Sequence, residues 1–156
     1  MATILVVEDD VFVNMEAIFA IEELGHLTLH AYDVDQALTI LQAVGRIDLL
    51  FTDIRLKDRH LGGYELAIRA VQLRSDICVL YATGRDPMAP SACLVLDGSH
   101  FLEKPYGDIQ LRASLETALQ APPARRPTVS TDLSLRLKEL PDDEEVRIAS
   151  CQEIHL

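Results

Sequence analysis

Residues 4–10 read Ile-Leu-Val-Val-Glu-Asp-Asp, a run of apolar residues that ends abruptly in three carboxylates. The apolar part predicts a buried β-strand, but such a strand has no structural use for a charge cluster at its end. Like charges this close repel one another unless a metal ion or a basic side chain lies nearby. The stretch therefore predicts a strand that leads into a cation-binding site.

Short apolar runs continue to alternate with stretches of helical spacing as far as residue 121. This alternation is typical of repeated strand–helix units, which form a parallel sheet. The predicted fold class is therefore α/β, a doubly wound sheet of five parallel strands followed by a C-terminal extension. The predicted strands are Thr3–Val7, Leu27–Ala31, Asp48–Thr52, Ile77–Ala82 and His100–Leu102.

Helices are predicted between these strands, and the first runs from about Val11 to Leu24 with Asp10 as its N-cap. The second covers about residues 33–44, the third begins near Gly63, a short fourth lies near residues 90–97, and a fifth follows Asp108 as its cap. The residues at helical intervals that would form one face of the first helix are Val11, Met15, Ile18, Phe19 and Glu22.

Residues 122–127, Pro-Pro-Ala-Arg-Arg-Pro, are typical of a stiff linker that leaves a domain. We therefore predict one domain over residues 1–121, then a linker and short tail over residues 122–156 without a separate output domain. The tail leucines fit either a strand or a helical face. Three alternatives stay open: the tail packs on its own domain, joins two copies in a homodimer, or is disordered.

Composition limits the class of protein to which the site belongs. The 156 residues, 49% of them hydrophobic, suit one compact domain. A formal net charge of −11 disfavours nonspecific nucleic-acid binding, which depends mainly on Lys and Arg that neutralise phosphates. No apolar run approaches the roughly 18 residues of a membrane span, and no signal peptide opens the chain. Three cysteines without metal-ligand spacing suit reduced thiols, so a cytoplasmic location is expected.

Unusual polar residues follow four of the predicted strands. Glu8, Asp9 and Asp10 follow the first, Asp53 the third, Thr83 the fourth and Lys104 the fifth. Taken singly, an Asp or Thr at such a place is usually a turn residue or a helix cap. In an open parallel sheet, however, ligands gather outside the carboxyl ends of the strands. The agreement of four strand ends therefore predicts one functional site.

The reaction that fits these residue types is phosphoryl transfer to a carboxylate. Asp53 is the best candidate nucleophile and would form an acyl phosphate. Glu8 and Asp9 would hold Mg²⁺, whose preferred ligands are carboxylate, water and phosphate oxygens. Lys104 and the Thr83 hydroxyl would contact the phosphoryl oxygens and stabilise their charge.

Four motifs carry a resemblance to a known family. Residues 4–10, residues 48–53 (Asp-Leu-Leu-Phe-Thr-Asp), residues 81–84 (Tyr-Ala-Thr-Gly) and residues 101–105 (Phe-Leu-Glu-Lys-Pro) follow one another at the spacing of response-regulator receiver domains. Over about residues 1–121 the chain resembles this phosphoacceptor module of two-component signalling. The resemblance implies a flavodoxin-like, CheY-like fold.

The resemblance also implies roles for single residues. Asp53 would accept a phosphoryl group from a histidine kinase or a histidine phosphotransfer protein. Glu8, Asp9 and Asp53 would bind Mg²⁺, with Asp9 favoured over Glu8 as a direct ligand. Arg55 would lend its backbone carbonyl to the same ion, so that its side chain matters little.

Thr83 and Lys104 match the hydroxyl and the lysine that contact the phosphoryl group in the family. Phe101 matches the aromatic switch residue that turns inward when the hydroxyl moves towards phosphate, although it would equally serve core packing. The loop over residues 54–63 departs from the pattern, since it is a residue or two longer than usual and lacks the frequent proline.

The implied function is a single-domain response regulator that signals to a downstream protein, because residues 122–156 show neither a helix-turn-helix pattern nor a basic patch. Two alternatives within the class are a phosphate sink or shuttle and a degenerate receiver that acts only as an interaction module. A phosphatase of the haloacid dehalogenase type would need a second Asp where Arg55 stands. We therefore expect a phosphoacceptor that catalyses its own phosphorylation rather than a metabolic enzyme.

Overall fold

The computed structural model describes residues 1–57, 59–84 and 94–126. In these ranges the chain forms five strands and four helices, and the strands make one parallel sheet in the order β2-β1-β3-β4-β5. The predicted doubly wound α/β fold is confirmed. In chain order the elements are β1 (Thr3–Val7), α1 (Val11–Glu23), β2 (Leu27–Ala31), α2 (Val34–Ala43), β3 (Leu49–Asp53), α3 (Gly62–Leu73), β4 (Cys78–Thr83), β5 (His100–Glu103) and α4 (Asp108–Gln120).

The strands agree with the predicted bounds to within one residue. β1 and β2 have the predicted ends, whereas β3 and β4 begin and end one residue later. Asp48 directly precedes β3, and its carboxylate accepts a hydrogen bond from the Thr3 N–H at 2.8 Å, at the start of the neighbouring strand. The shift makes Asp53 and Thr83 the last residues of their strands.

Both faces of the sheet are covered, which explains why β1, β3 and β4 are apolar almost throughout. On one face, α2 and α3 pack through residues such as Leu41 and Leu66. On the other face, α1 and α4 pack through residues such as Ile21 and Leu115. In β1, β3 and β4, alternate residues belong to the two cores, as the period of a β-strand requires.

The residues predicted at helical intervals on α1 do not form its buried face. The helix buries Asn14, Ala17 and Ile21 and turns most of the predicted face to solvent. Ala17 is small enough for close packing, and the Asn14 amide donates to the carbonyls of Glu8 and Ala31 at 3.0 and 3.1 Å. The large exposed side chains of α1, with their exposed fractions, are Val11 (50%), Phe12 (80%), Met15 (58%) and Phe19 (70%).

The helix caps differ in how well the sequence predicted them. Asp10 is the N-cap of α1, as predicted, and its Oδ1 accepts from the N–H groups of residues 12 and 13. Asp108 is not a cap, because α4 begins at Asp108 itself and Gly107 occupies the cap position. The Gly107 N–H donates to Gln110 Oε1 at 3.0 Å, which satisfies one donor at that helix end.

The packing of the domain continues past the predicted boundary at residue 121. Ala124 is buried, and its N–H donates to the Ile77 carbonyl at 3.1 Å. Asp97 and Arg125 exchange two backbone hydrogen bonds of 2.8 Å. The predicted tail from residue 127 and most of the predicted helix near residues 90–97 lie outside the described residues. In the described ranges, no helix is long and apolar enough to cross a bilayer.

Arg74 closes the C-terminal end of α2. It lies after α3, and its guanidinium donates to the carbonyls of Leu41, Val44 and Gly45. The last carbonyls of a helix have no partner within the helix, and a cation also interacts favourably with their partial negative charge. Arg74 therefore joins α2 to α3 on one face of the sheet.

We expect Arg74→Met to lower the free energy of unfolding by about 1–3 kcal/mol, because it leaves helix carbonyls without a charged donor. Urea denaturation followed by circular dichroism measures the change. Arg69→Met, at an exposed position of α3, is the matched control and should change stability by less than about 0.5 kcal/mol. Equal stability of the two variants would contradict this role for Arg74.

Candidate functional site

The strand register brings the predicted site residues to one edge of the sheet. Val7 pairs with Thr52, and Asp53 pairs with Ala82, so β1, β3 and β4 end at the same level. Glu8 continues from β1, and Lys104 continues from β5. Four segments that are distant in sequence therefore meet at the carboxyl ends of the strands.

Lys104 joins two of the carboxylates directly. Its Nζ lies 2.5 Å from Glu8 Oε2 and 2.6 Å from Asp53 Oδ2. The Glu8 side chain is almost fully buried, and those of Asp53 and Lys104 are partly buried. Charge-assisted bonds of this length are strong, so Lys104 fixes the positions of both acids.

Asp9 completes a cluster with these two acids. One oxygen of each of Glu8, Asp9 and Asp53 lies within 4.8 Å of the others. When all three are ionised, three carboxylates and the Lys104 ammonium leave two negative charges. The donor set therefore fits a hard divalent cation in both ligand type and charge.

Burial and pairing act in opposite directions on the ionisation of this site. Burial raises the pKa of Glu8 to about 7, although Lys104 partly opposes the shift. Burial alone would lower the pKa of Lys104, but its bonds to Asp53 and Glu8 outweigh burial and raise it. Lys104 is therefore a cation, whereas burial of the Glu8 side chain disfavours its charged form.

The backbone around Asp53 is held tightly. The Arg55 N–H donates to Asp53 Oδ1 at 3.1 Å, while the Arg55 side chain is exposed. The Ile54 N–H donates to the Ala82 carbonyl, and the Gly63 N–H donates to the Ile54 carbonyl. A Cβ added to Gly63 would lie only 2.1 Å from the Asp53 carbonyl oxygen. Only glycine permits α3 to begin this close to Asp53.

Thr83 and Phe101 lie on β4 and β5, the two strands that follow β3 in the sheet. Thr83 is buried at the end of β4, and its carbonyl accepts from the Lys104 N–H at 2.8 Å. Phe101 is half-buried and stacks on Tyr81 with ring centroids 5.1 Å apart. Tyr81 in turn contacts Tyr64 of α3 at 4.9 Å. The predicted switch residue therefore belongs to a row of three aromatic rings.

Three residues of the site were not predicted from the sequence. Asn14 holds the Glu8 carbonyl, Gly63 packs on the Asp53 backbone, and the Lys57 N–H donates to Asp9 Oδ2 at 3.0 Å. The Lys57 contact is made by a backbone N–H and has no residue-type signal, whereas the glycine at position 63 was a signal for a close backbone approach. An Asn on the same helical face as Ala17 and Ile21 was the one signal available for Asn14.

Comparison with known protein families matches residues 4–116 to the response regulator receiver domain. The chain belongs to the receiver domain family. This match confirms the resemblance inferred from the four motifs. It makes the domain a module of two-component signalling rather than a metabolic enzyme. Comparison with curated proteins gave no match.

Solved structures of receivers share the fold. A response regulator receiver protein from Sinorhizobium medicae is 24% identical, with a TM-score of 0.68 over 76% of this chain and 94% of that one. NtrX from Brucella abortus is 28% identical, with a TM-score of 0.68 over 76% of this chain and 27% of that one. The chemotaxis protein CheY4 from Vibrio cholerae is 19% identical, with a TM-score of 0.66 over 76% of this chain and 98% of that one.

We expect Gly63→Ala to destabilise the receiver by about 1–3 kcal/mol, because the added methyl group collides with the Asp53 backbone. Thermal unfolding measures this loss, and the amide chemical shifts of residues 53–55 should move with it. Gly45→Ala is the matched control, since nothing lies within 4 Å of a Cβ at that position. Similar melting temperatures for the two variants would show that the contact at Gly63 is unimportant.

Proposed function

We propose that this receiver accepts a phosphoryl group on Asp53 from a histidine kinase or a histidine phosphotransfer protein and signals by binding another protein. Mg²⁺ held by Glu8, Asp9 and Asp53 is the cofactor. The observation that carries the proposal is the Lys104 ammonium placed between Asp53 and Glu8, with Asp9 in the same cluster. A structural ion pair would not need a third carboxylate beside it.

The acceptor chemistry follows from this geometry. A carboxylate oxygen of Asp53 attacks phosphorus, an O–P bond forms, and the P–N bond to the donor imidazole breaks. The nitrogen keeps the bonding electrons and takes up a proton. The Lys104 ammonium lies 2.6 Å from the Asp53 carboxylate, and attack by a carboxylate oxygen requires no general base.

Lys104 and the metal site have complementary roles. Lys104 lies 2.6 Å from Asp53, near enough to bind an oxygen of the incoming phosphoryl group as its charge spreads. A Mg²⁺ ion bound at this site would screen the phosphoryl oxygens from the carboxylates. Glu8 and Asp9 supply its oxygen ligands, and the Arg55 carbonyl is a further candidate ligand next to Asp53.

Thr83 and Phe101 form the proposed path of the signal. Thr83 lies two residues after Tyr81 in β4, so both side chains extend from the same face of the sheet. Tyr81 stacks on Phe101. A phosphoryl group on Asp53 would add charge and hydrogen-bond acceptors beside Thr83 and bias the packing of these rings.

The exposed face of α1 is the proposed docking surface for the phosphoryl donor. Phe12, Met15 and Phe19 are more than half exposed on this helix, directly after the acidic cluster. A groove between α1 and the start of α4 continues from Phe19 to Lys104 and Tyr106. Exposed aromatic side chains beside a reactive group are typical of protein-binding surfaces.

Incubation with acetyl phosphate and Mg²⁺ tests the acceptor. We expect the wild type to gain one phosphoryl group, measured by intact mass, and Asp53→Asn to gain none, because the amide is not nucleophilic. Asp76→Asn, at an exposed position away from the site, is the control and should be modified like the wild type. Modification of both wild type and Asp53→Asn, or of neither, would contradict the assignment of Asp53.

Phe12→Ala tests the docking surface. We expect the ratio of the transfer rate from a phosphorylated histidine protein to that from acetyl phosphate to fall at least about fivefold, because truncation of a central aromatic contact typically costs over 1 kcal/mol. Leu73→Ala removes a half-exposed side chain at the end of α3 and is the control. A ratio that is equal in both variants would exclude Phe12 from the donor interface.

A further inference from the structure

We propose that Lys57 is a positioning residue, which ties the β3–α3 loop to the N-terminus of α2 and thereby orients Asp9 for Mg²⁺. The inference rests on the proposed function, because it concerns the proposed metal site. Two contacts of Lys57 carry it, one made by its backbone and one by its side chain.

The backbone contact needs an unusual conformation. Lys57 has a φ of 51°, in the left-handed region that residues with a side chain rarely adopt. In this conformation its N–H donates to Asp9 Oδ2 at 3.0 Å, across 48 residues of sequence. Proline has no N–H and cannot adopt this φ, so the contact requires a residue other than proline at position 57.

The side-chain contact anchors the same residue to α2. Lys57 Nζ lies 2.8 Å from Asp33 Oδ2, and Asp33 Oδ1 accepts from the Gln36 N–H at 2.8 Å as the N-cap of α2. The bonds from Gln36 and Lys57 lower the pKa of Asp33, so this carboxylate stays charged. Lys57 thus contacts Asp9 through its N–H and the cap of α2 through its ammonium.

The loop is compact enough to couple these two contacts. Leu56 and Arg59 exchange backbone hydrogen bonds of 3.1 and 2.9 Å, and the Leu56 side chain is buried. Arg59 also lies 3.8 Å from Asp35 in the first turn of α2. Two cationic side chains of the loop therefore face two acids at one end of α2. On this proposal, loss of the ammonium contact loosens the backbone whose N–H holds Asp9.

The consequence for the metal site is preorganisation. The hydrogen bond to Oδ2 keeps the Asp9 carboxylate beside Glu8 and Asp53 before a cation arrives. Because the carboxylate is already oriented, its ordering does not reduce the free energy of cation binding, and the affinity for the cation is higher. By thermodynamic linkage, a cation bound to Asp9 stabilises the loop conformation that holds Asp9. The gain in free energy equals the gain in cation binding that this loop conformation provides.

The experiment is a calorimetric Mg²⁺ titration of the full chain as wild type, Lys57→Met, Asp33→Asn and the double variant. Asn preserves the cap of α2. If Lys57 positions Asp9, each single variant should weaken Mg²⁺ binding by about two- to fivefold, the range expected for an exposed ion pair. The double variant should lose no more Mg²⁺ affinity than the weaker-binding single variant. Direct electrostatics predicts opposite effects, since Lys57→Met removes a positive charge and Asp33→Asn a negative one.

Arg46→Met is the matched control. The ion pair that Arg46 makes with Asp48 is also 2.8 Å long. It lies before β3, at the amino ends of the strands and thus at the opposite end of the sheet from the acidic cluster. The Mg²⁺ affinity of Arg46→Met should equal that of the wild type, and Lys57→Arg should restore most of the affinity that Lys57→Met loses. In the wild type, Mg²⁺ should slow hydrogen exchange of the residue 57 amide, and in Lys57→Met this slowing should diminish.

The outcomes separate the two levels of proposal. Equal or tighter Mg²⁺ binding by Lys57→Met, or losses that add in the double variant, would overturn the positioning role while the metal site stands. A wild type that binds no Mg²⁺ would overturn the proposed metal site and, with it, this inference.

Discussion

The contact of Lys104 with Asp53 and Glu8 is the constraint on which the site depends. Carboxylates on adjacent strand ends repel one another, and burial of Glu8 makes its ionised form more costly. The lysine ammonium offsets both effects from a segment that follows β5, two strands away from β3. The sheet order and the register of β3, β4 and β5 must therefore all be correct before the acids can lie together.

Much of the fold could be predicted because strands that are buried on both faces of the sheet are apolar at nearly every position. β1 and β4 are apolar at nearly every position, so their bounds were predicted to within one residue. The face of α1 could not be predicted in the same way. Apolar residues surround much of that helix, and the buried side is decided by the small Ala17 and by carbonyl partners for Asn14. Both depend on neighbours that periodicity does not describe.

Some residues of the candidate site could likewise be predicted from the sequence, and others could not. Charged side chains at strand ends, such as Asp53 and Lys104, could be predicted as site residues because the carboxyl ends of parallel strands lie together at one end of the sheet. The groups that support them could not. The Lys57 and Arg55 N–H groups act through the backbone, and Gly63 acts through the absence of a side chain. Such contacts become visible only when the path of the β3–α3 loop is known.

The charge balance of the pocket explains why the cations around it differ in placement. Lys57 and Arg59 follow Asp53 closely in sequence, yet their side chains pair with Asp33, Asp35 and Glu65 on α2 and α3. Among the described residues, Lys104 is the cation in direct contact with Asp53. A second ammonium in the cluster would leave one negative charge and would weaken the site for a divalent ion. With the loop cations paired to acids at α2 and on α3, Lys104 is the ammonium that balances the carboxylates of the cluster among the described residues.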